Sequence, residues 1–404
     1  MLSTFTPRVS ASSRSLFLQH HHHHRIPITT TISTITTTRH FTLNQRHFQP
    51  PNSNSNSNSK FKSITMPLIP STTALGGKPR VILGLMTFGP PGSESKGGRI
   101  TDLDTYNSHL DHLQSRGYNE VDTARMYIQG DQEGFTRQAH WKDRGLKLAT
   151  KCYPVNPGDH APAKLRATFE TSLKELGTDA VDIFYLHAPD RSVPFEETLK
   201  EANELFKEGK FVELGLSNFA AWEVAEVWNI ANERGWVKPT IYQAMYNAIT
   251  RDIEKELVPA LRKYKIDLVV YNPLAGGVFS GKYKSKAEIP DSGRFATTNE
   301  RQGKMYRDRY FHDETFEALQ LIEPVVAKHN LTLIETALRW VRHHSVLKLT
   351  DGGNDGIIIG VSSLSQLETN LTDLEKGPLP DEVVEVLDQA WNTLFKGKSP
   401  SYWR

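Results

Sequence analysis

The chain of 404 residues contains one cysteine, Cys152. An intrachain disulfide is therefore impossible, and a cysteine-built metal cluster is excluded. No apolar run approaches the roughly 20 residues that a membrane-spanning helix requires. Formal charge is nearly balanced at +2, which removes the electrostatic case for nucleic acid as a partner. Acidic residues are missing from the whole first stretch, none preceding Glu94. No Gly-x-Gly-x-x-Gly turn follows the first predicted strand, which argues against a Rossmann domain.

The first 65 residues carry Arg8, Arg14, Arg25, Arg39 and Arg46 among many Ser and Thr, together with a run from His20 to His24 and the repeat NSNSNSNS from Asn52 to Ser59. Such a segment cannot bury enough apolar surface to offset its ordering entropy. Residues 1–75 therefore read as a disordered, low-complexity extension, and 76–404 as the folded part. Arginine-rich, serine-rich and free of acids is the composition of a mitochondrial transit peptide. A plain tail, on a protein that stays in the cytoplasm, is the other reading, with Met66 as a second start. The histidine run reads as low-complexity drift rather than a metal site.

From about Lys78 onward, short apolar runs alternate with amphipathic stretches. Strands are predicted at RVILGLM (80–86), YNEVDTA (118–124), LKLATK (146–151), AVDIFYLHA (180–188), FVELGLSN (211–218), TIYQAMY (240–246), IDLVVYNPL (266–274) and DGIIIGVSS (355–363). Helices with one apolar face lie between most of them, for example 102–117 with Leu103, Tyr106, Leu110 and Leu113, and 161–179 with Leu165, Phe169, Leu173 and Leu176. Strands buried on both faces imply a parallel sheet. Eight strand–helix units over some 300 residues favour an eight-stranded parallel (β/α)8 barrel over a doubly wound sheet. In such a barrel the chemistry sits at the carboxyl ends of the strands.

Those ends are polar. The second strand ends at Asp122, the third at Lys151, the fourth at His187, the fifth at Ser217 and Asn218, the sixth at Gln243, the seventh at Tyr271, and the eighth at Gly360 and Ser362. Tyr127 follows Asp122 in the next loop. A tyrosine with an ordinary pKa of ~10 is a poor acid at neutrality, and a nearby ammonium lowers that value. A carboxylate keeps the ammonium charged and oriented, and a neutral imidazole donates to a substrate oxygen. Together, Asp122, Tyr127, Lys151 and His187 suit protonation of an oxygen becoming an alkoxide. An alkoxide forms when hydride reaches a carbonyl. No side chain carries hydride, so a nicotinamide cofactor is required. Taken one at a time, each residue has a structural explanation: a helix cap, a rim lysine, a histidine packed under a loop.

In VDTARMY, ATK, YLHAPD, GLSNF, YQAMYN and YNPLAGGVFSGKY the sequence resembles the aldo-keto reductase superfamily, from about Arg80 to the C-terminus and in consistent order. LGLMTFG, LAGGVFSGKY, GRF and SPSYWR make it similar to the aflatoxin-aldehyde reductase branch. The resemblance implies an NADP(H)-dependent reductase of small aldehydes or ketones, without a metal, and with a homodimer as one possible assembly. It implies that Tyr127 is the general acid, Lys151 lowers its pKa, Asp122 holds Lys151, and His187 orients the carbonyl. Tyr271 would stack on the nicotinamide, and Ser217, Asn218 and Gln243 would hold its carboxamide. Met86 joins the cofactor contacts. Backbone from Asn272 through Pro273, Leu274, Ala275, Gly276 and Gly277 to Gly281 and Lys282 would wrap the pyrophosphate. Ser362, Ser363, Gln366 and Asn370 would take the adenosine phosphate. Gly360 and Gln366 stand where many relatives carry Lys and Arg for the 2′-phosphate, and Lys282 and Arg294 are the available substitutes.

Ala188 replaces the bulky aromatic that related sequences often place after the histidine, which predicts room for a larger substrate. The terminal Tyr402, Trp403 and Arg404 either line the pocket mouth, with Arg404 meeting an acidic substrate, or form a loose end. Two other functions remain open on sequence: a cofactor-binding sensor of the same fold, as in potassium-channel subunits, and a barrel lyase or isomerase using Lys151 as a Schiff base. The strand-seven nicotinamide signature speaks against the second.

Overall fold

The computed structural model describes residues 77–287, 289–291, 293–297, 300–350 and 352–404. The transit-peptide reading, the histidine run and the second start at Met66 fall outside the described residues. Eight parallel strands close into a barrel in chain order. They are β1 (Arg80–Gly84), β2 (Glu120–Asp122), β3 (Lys147–Cys152), β4 (Val181–Leu186), β5 (Phe211–Ser217), β6 (Pro239–Met245), β7 (Asp267–Tyr271) and β8 (Gly356–Gly360). β8 pairs with β1 from Arg80↔Gly356 to Gly84↔Gly360, which completes the ring. The eight-stranded (β/α)8 expectation is met.

The helices are α1 (Leu103–Ser115), α2 (Gln132–Gln138), α3 (Pro162–Leu176), α4 (Phe195–Lys207), α5 (Ala221–Arg234), α6 (Leu257–Tyr264), α7 (Glu300–Tyr310), α8 (Asp313–Lys328), α9 (Leu333–His343), α10 (Leu364–Glu375) and α11 (Asp381–Ala390). Local chemistry sets their ends. Proline opens α3, and Gly177 closes it in the left-handed region at φ 68°. Ser363 caps α10 by accepting from the Gln366 N–H at 3.3 Å. The stretch between β7 and β8 holds α7, α8 and α9.

Successive strand residues face opposite ways. Ile82, Ala149, Ile183, Tyr185, Ile241, Val269 and Ile358 point into the barrel. Their neighbours Leu83, Leu148, Phe184, Tyr242, Leu268 and Ile357 face the helices. Phe169 of α3 stacks on Phe184 with ring centroids 4.1 Å apart. Full burial of one such side chain is worth about 1.5–3 kcal/mol. Gly215 faces inward because Tyr185 needs its space: a Cβ there would lie 2.3 Å from the Tyr185 ring.

Candidate active site

The same two-residue period places the site. Two residues beyond the inner packing layer, the inward positions become Asp122, Lys151, Ser217, Gln243, Tyr271 and Gly360, with His187 two residues past Tyr185. One rise of about 6.6 Å along each strand separates apolar filling from polar groups. Lys151 is fully buried. Its ammonium donates to Asp122 Oδ1 at 2.5 Å and to the Thr123 carbonyl at 2.7 Å. Gln243 donates from Nε2 to the other oxygen of Asp122 at 2.9 Å, across the barrel. Asp122 is thus held from two strands.

Tyr127 begins a 3-10 turn, Tyr127–Gly130, in which Ile128 (φ 49°) and Gln129 (φ 54°) are both left-handed. Two consecutive left-handed side-chain-bearing residues cost of order 1–3 kcal/mol each, so the turn needs fastening. Arg125 provides it, donating to the Gly130 carbonyl and pairing with the buried Glu133 at 2.5 Å. Glu133 also accepts from Thr150 at 2.6 Å. Arg125 and Glu133 were not singled out in the sequence. Their signal was the spacing Arg-x7-Glu around the tyrosine, in a loop otherwise poor in charge.

The half-buried rings of Tyr127 and His187 meet edge to face at 6.1 Å, and the Lys151 ammonium lies 5.2 Å from the centre of the Tyr127 ring. Burial, then the charge of Asp122, pushes the Tyr127 phenol well above its ordinary value. This departs from the expected depression by Lys151. The physical reason is burial, which penalises the phenolate more than the nearby charges favour it, with the carboxylate of Asp122 adding in the same direction. Tyr127 therefore rests as a protonated acid. Burial, then the Lys151 charge, drives His187 well below its ordinary value, so the imidazole is neutral. Its Nδ1 is buried without a hydrogen-bond partner. An unpartnered lone pair is cheaper than an unpartnered N–H, so the proton belongs on Nε2, as a donor for a substrate oxygen.

His187 is pinned through its main chain. Its N–H donates to the Cys152 carbonyl at 3.0 Å. Its carbonyl accepts from Asn218 Nδ2 at 2.7 Å, and the same amide nitrogen lies 3.1 Å from Ser217 Oγ. Both donors of Asn218 and one of Gln243 are thereby used, and the two carbonyl oxygens remain, beside the Ser217 hydroxyl. Two acceptors and one hydroxyl complement a primary carboxamide, the group at the head of a nicotinamide. Tyr271 is half-buried at the end of β7, with the Arg309 charge of α7 acting on its phenol.

After β7, Asn272 and Ala275 are left-handed at φ 59° and 48°, and Gly276, Gly277 and Gly281 follow at φ 68°, 109° and 69°. This tight turn includes Pro273 and Leu274 and leaves Lys282 exposed. Met86 is half-buried beyond β1. At the end of β8, Ser362 donates through N–H and Oγ to Gln366 Oε1 at 2.9 and 3.1 Å, and Asn370 is buried one turn on.

One expectation for the tail is corrected, and the surroundings of the histidine are more crowded than the sequence suggested. Ala188 is buried beside His187. Aromatic bulk beside the histidine comes from Tyr153, whose ring meets His187 edge-on at 5.4 Å. Tyr402 does not line the cleft. It is buried, and its hydroxyl is committed to Glu256 at 2.5 Å and to the Ala221 N–H at 3.1 Å. That anchor carries Trp403 and Arg404 to the rim. The Arg404 N–H donates to the Asn218 carbonyl at 3.0 Å, Arg191 donates to the Arg404 carbonyl at 2.6 Å and lies 5.4 Å from the Trp403 ring, and the Arg404 guanidinium lies 3.7 Å from Met305 Sδ.

Among the described residues no cluster of His, Cys, Asp and Glu could hold a metal ion, and no helix is long and apolar enough to cross a membrane. The model of the aldo/keto reductase family matches residues 80–392. Aflatoxin B1 aldehyde reductase member 2 of Mus musculus is 43% identical over 337 residues, covering 81% of this chain and 88% of its own. Aldo-keto reductase family 7 member A3 of Homo sapiens is 42% identical over 337 residues, covering 81% and 98%. Aldo-keto reductase pigE of Monascus ruber is 39% identical over 335 residues, covering 80% and 96%.

Proposed function

We propose, for a chain that belongs to the aldo/keto reductase family, that it reduces aldehydes to alcohols with NADPH and that Tyr127 supplies the proton. Family membership makes the chain an oxidoreductase that works with NADP(H). The relative from Mus musculus bears the name aflatoxin B1 aldehyde reductase, which supports an aldehyde as the substrate class and leaves ketones as the wider range. When bound, the cofactor supplies hydride to the substrate carbonyl carbon.

The chain's own groups handle the oxygen. The neutral His187 offers Nε2–H to the carbonyl and fixes its direction. Tyr127, protonated at rest, gives its proton to the alkoxide. The Lys151 ammonium, 5.2 Å from the ring, stabilises the phenolate left behind, which then recovers a proton from water. Asp122 acts through Lys151, and Gln243 acts through Asp122. Ser217, Asn218 and Gln243 would hold the carboxamide with the valences their internal bonds leave over.

The observation that carries this reading is the pairing of a buried Lys151–Asp122 ion pair with a phenol and a neutral imidazole at one set of strand ends. Following NADPH consumption with 4-nitrobenzaldehyde tests it. Turnover in wild type, lost in Tyr127→Phe with NADPH binding kept, is the expected result. Tight NADPH binding with no turnover in wild type would overturn it. Delivery to mitochondria by residues 1–65 is proposed on composition alone, and N-terminal sequencing of the native protein tests it.

A further inference from the structure

The segment that faces adenosine phosphate in this reading, Gly356 to Asn370, contains no Lys, Arg or His. Of its two amides, Gln366 has its oxygen occupied by Ser362, and Asn370 is buried. A phosphate carrying close to two negative charges needs cations, and guanidinium groups match its oxygens best. One guanidinium reaches the end of β8 from another loop, and a second arginine lies on a loop tied to that end.

Arg294 comes from the loop before α7. A Cβ built on Gly360 would lie 3.7 Å from Arg294 Nη2, so the guanidinium stands over the last residue of β8. Tyr306 fixes it, with its hydroxyl 3.3 Å from Nη1 and its ring centre 5.0 Å from the guanidinium carbon. Arg99 comes from the loop after β1. Its N–H donates to the Thr87 carbonyl at 2.7 Å, and the Thr87 hydroxyl donates to the Val361 carbonyl at 2.8 Å. That chain of bonds ties the Arg99 loop to the residue after Gly360. Among the described residues neither arginine has a carboxylate partner. Partial burial, then the charge of Arg294, holds Arg99 below its ordinary value, so the two cations feel each other.

We propose that Arg99 and Arg294 form a two-arginine clamp for the phosphate on the adenosine ribose, and that Arg99 sets the preference for the phosphorylated cofactor. This rests on the NADPH reading above. The phosphate sits between the two guanidinium groups and removes their mutual repulsion, while Ser362 and Gln366 keep the turn beneath in shape. Lys282, exposed on the loop after β7, is not required.

The full chain and its Arg99→Gln and Arg99→Lys variants are titrated by calorimetry with 2′,5′-ADP and 5′-AMP, which differ only in that phosphate. Arg99→Gln should weaken 2′,5′-ADP by about tenfold or more, the size expected for one charge-assisted contact, and 5′-AMP by less than about twofold. Arg99→Lys should lie between wild type and Arg99→Gln, because the charge remains and the fork is lost. Raising the salt concentration should narrow the gap between wild type and Arg99→Gln. Equal weakening of both nucleotides by Arg99→Gln would make Arg99 a loop anchor and overturn the clamp. Unchanged 2′,5′-ADP binding in that variant, with wild type still preferring 2′,5′-ADP, would overturn the clamp alone. A wild type that binds both nucleotides equally would take down the NADPH reading and the clamp with it.

Discussion

The barrel holds a buried ion pair at each end, and the two are built differently. At the foot, Arg80 donates to both oxygens of Glu120, with contacts between 2.7 and 3.0 Å, and to the Asn354 carbonyl at 3.0 Å. At the mouth, Lys151 and Asp122 pair at 2.5 Å, but an unpartnered imidazole nitrogen and a half-buried phenol stand beside them. Glu120 and Asp122 lie two residues apart on one strand and face the same interior. The same side-chain chemistry serves structure where both charged groups are bound to each other on all sides, although the Asn354 Oδ1 nearby has no partner, and chemistry where a titratable phenol and imidazole stand beside the pair.

Four measurements bear on that contrast, the first expected to be the largest. Tyr127→Phe should lower kcat by about 10²–10⁴-fold with NADPH affinity and melting temperature kept; a variant with a tenth or more of wild-type turnover would move the proton donor elsewhere. At the foot, Glu120→Ala strands a buried guanidinium and should cost about 3–5 kcal/mol of stability in urea unfolding. Residual kcat per folded molecule should stay near wild type, and the double change Arg80→Met, Glu120→Leu should recover most of the loss. A foot mutant that folds well but turns over poorly would erase the division between the two ends.

The third is a pH effect. His187 and His160 are both held below the ordinary 6.5, chiefly by burial, and stay neutral in the fold. Once unfolded, each takes a proton near 6.5. Below that pH the unfolded chain binds more protons, so stability falls as pH drops, by up to about 1.4 kcal/mol per pH unit for each histidine. Urea midpoints from pH 7 to pH 5 should show a shallower slope for His187→Phe; an identical slope would mean His187 is already charged. The smallest effect should come from Tyr402→Phe, which loses bonds to Glu256 and Ala221. About 1 kcal/mol is expected, with aldehyde KM rising more than kcat falls if the anchored tail shapes the mouth.

Much of this was legible in the sequence because the strands keep a strict period of two. Asp122, Lys151, His187, Ser217, Gln243 and Tyr271 could be placed at strand ends without coordinates. What the period does not carry is the partner of each group. Gln243 and Asp122 are separated by 121 positions and joined by one hydrogen bond. Tyr153 meets the His187 ring edge-on, through a loop whose path no periodicity describes. The raised phenol likewise comes from burial first and the Asp122 carboxylate second, both visible only once coordinates exist. Helix α7, with Arg309 beside Tyr271, came from a stretch too polar to suggest packing against a site.

The missing side chain at position 215 has a consequence for how this barrel tolerates change. Tyr185 lies 5.7 Å below the Lys151 ammonium and fills the space a Cβ at 215 would take. Alanine at 215 should therefore be harmful in the natural background and harmless once Tyr185 is leucine. The order in which the two substitutions arise decides whether a lineage or a library can cross between them. Screens that vary one position at a time would score Gly215 as invariant, although the constraint belongs to the pair.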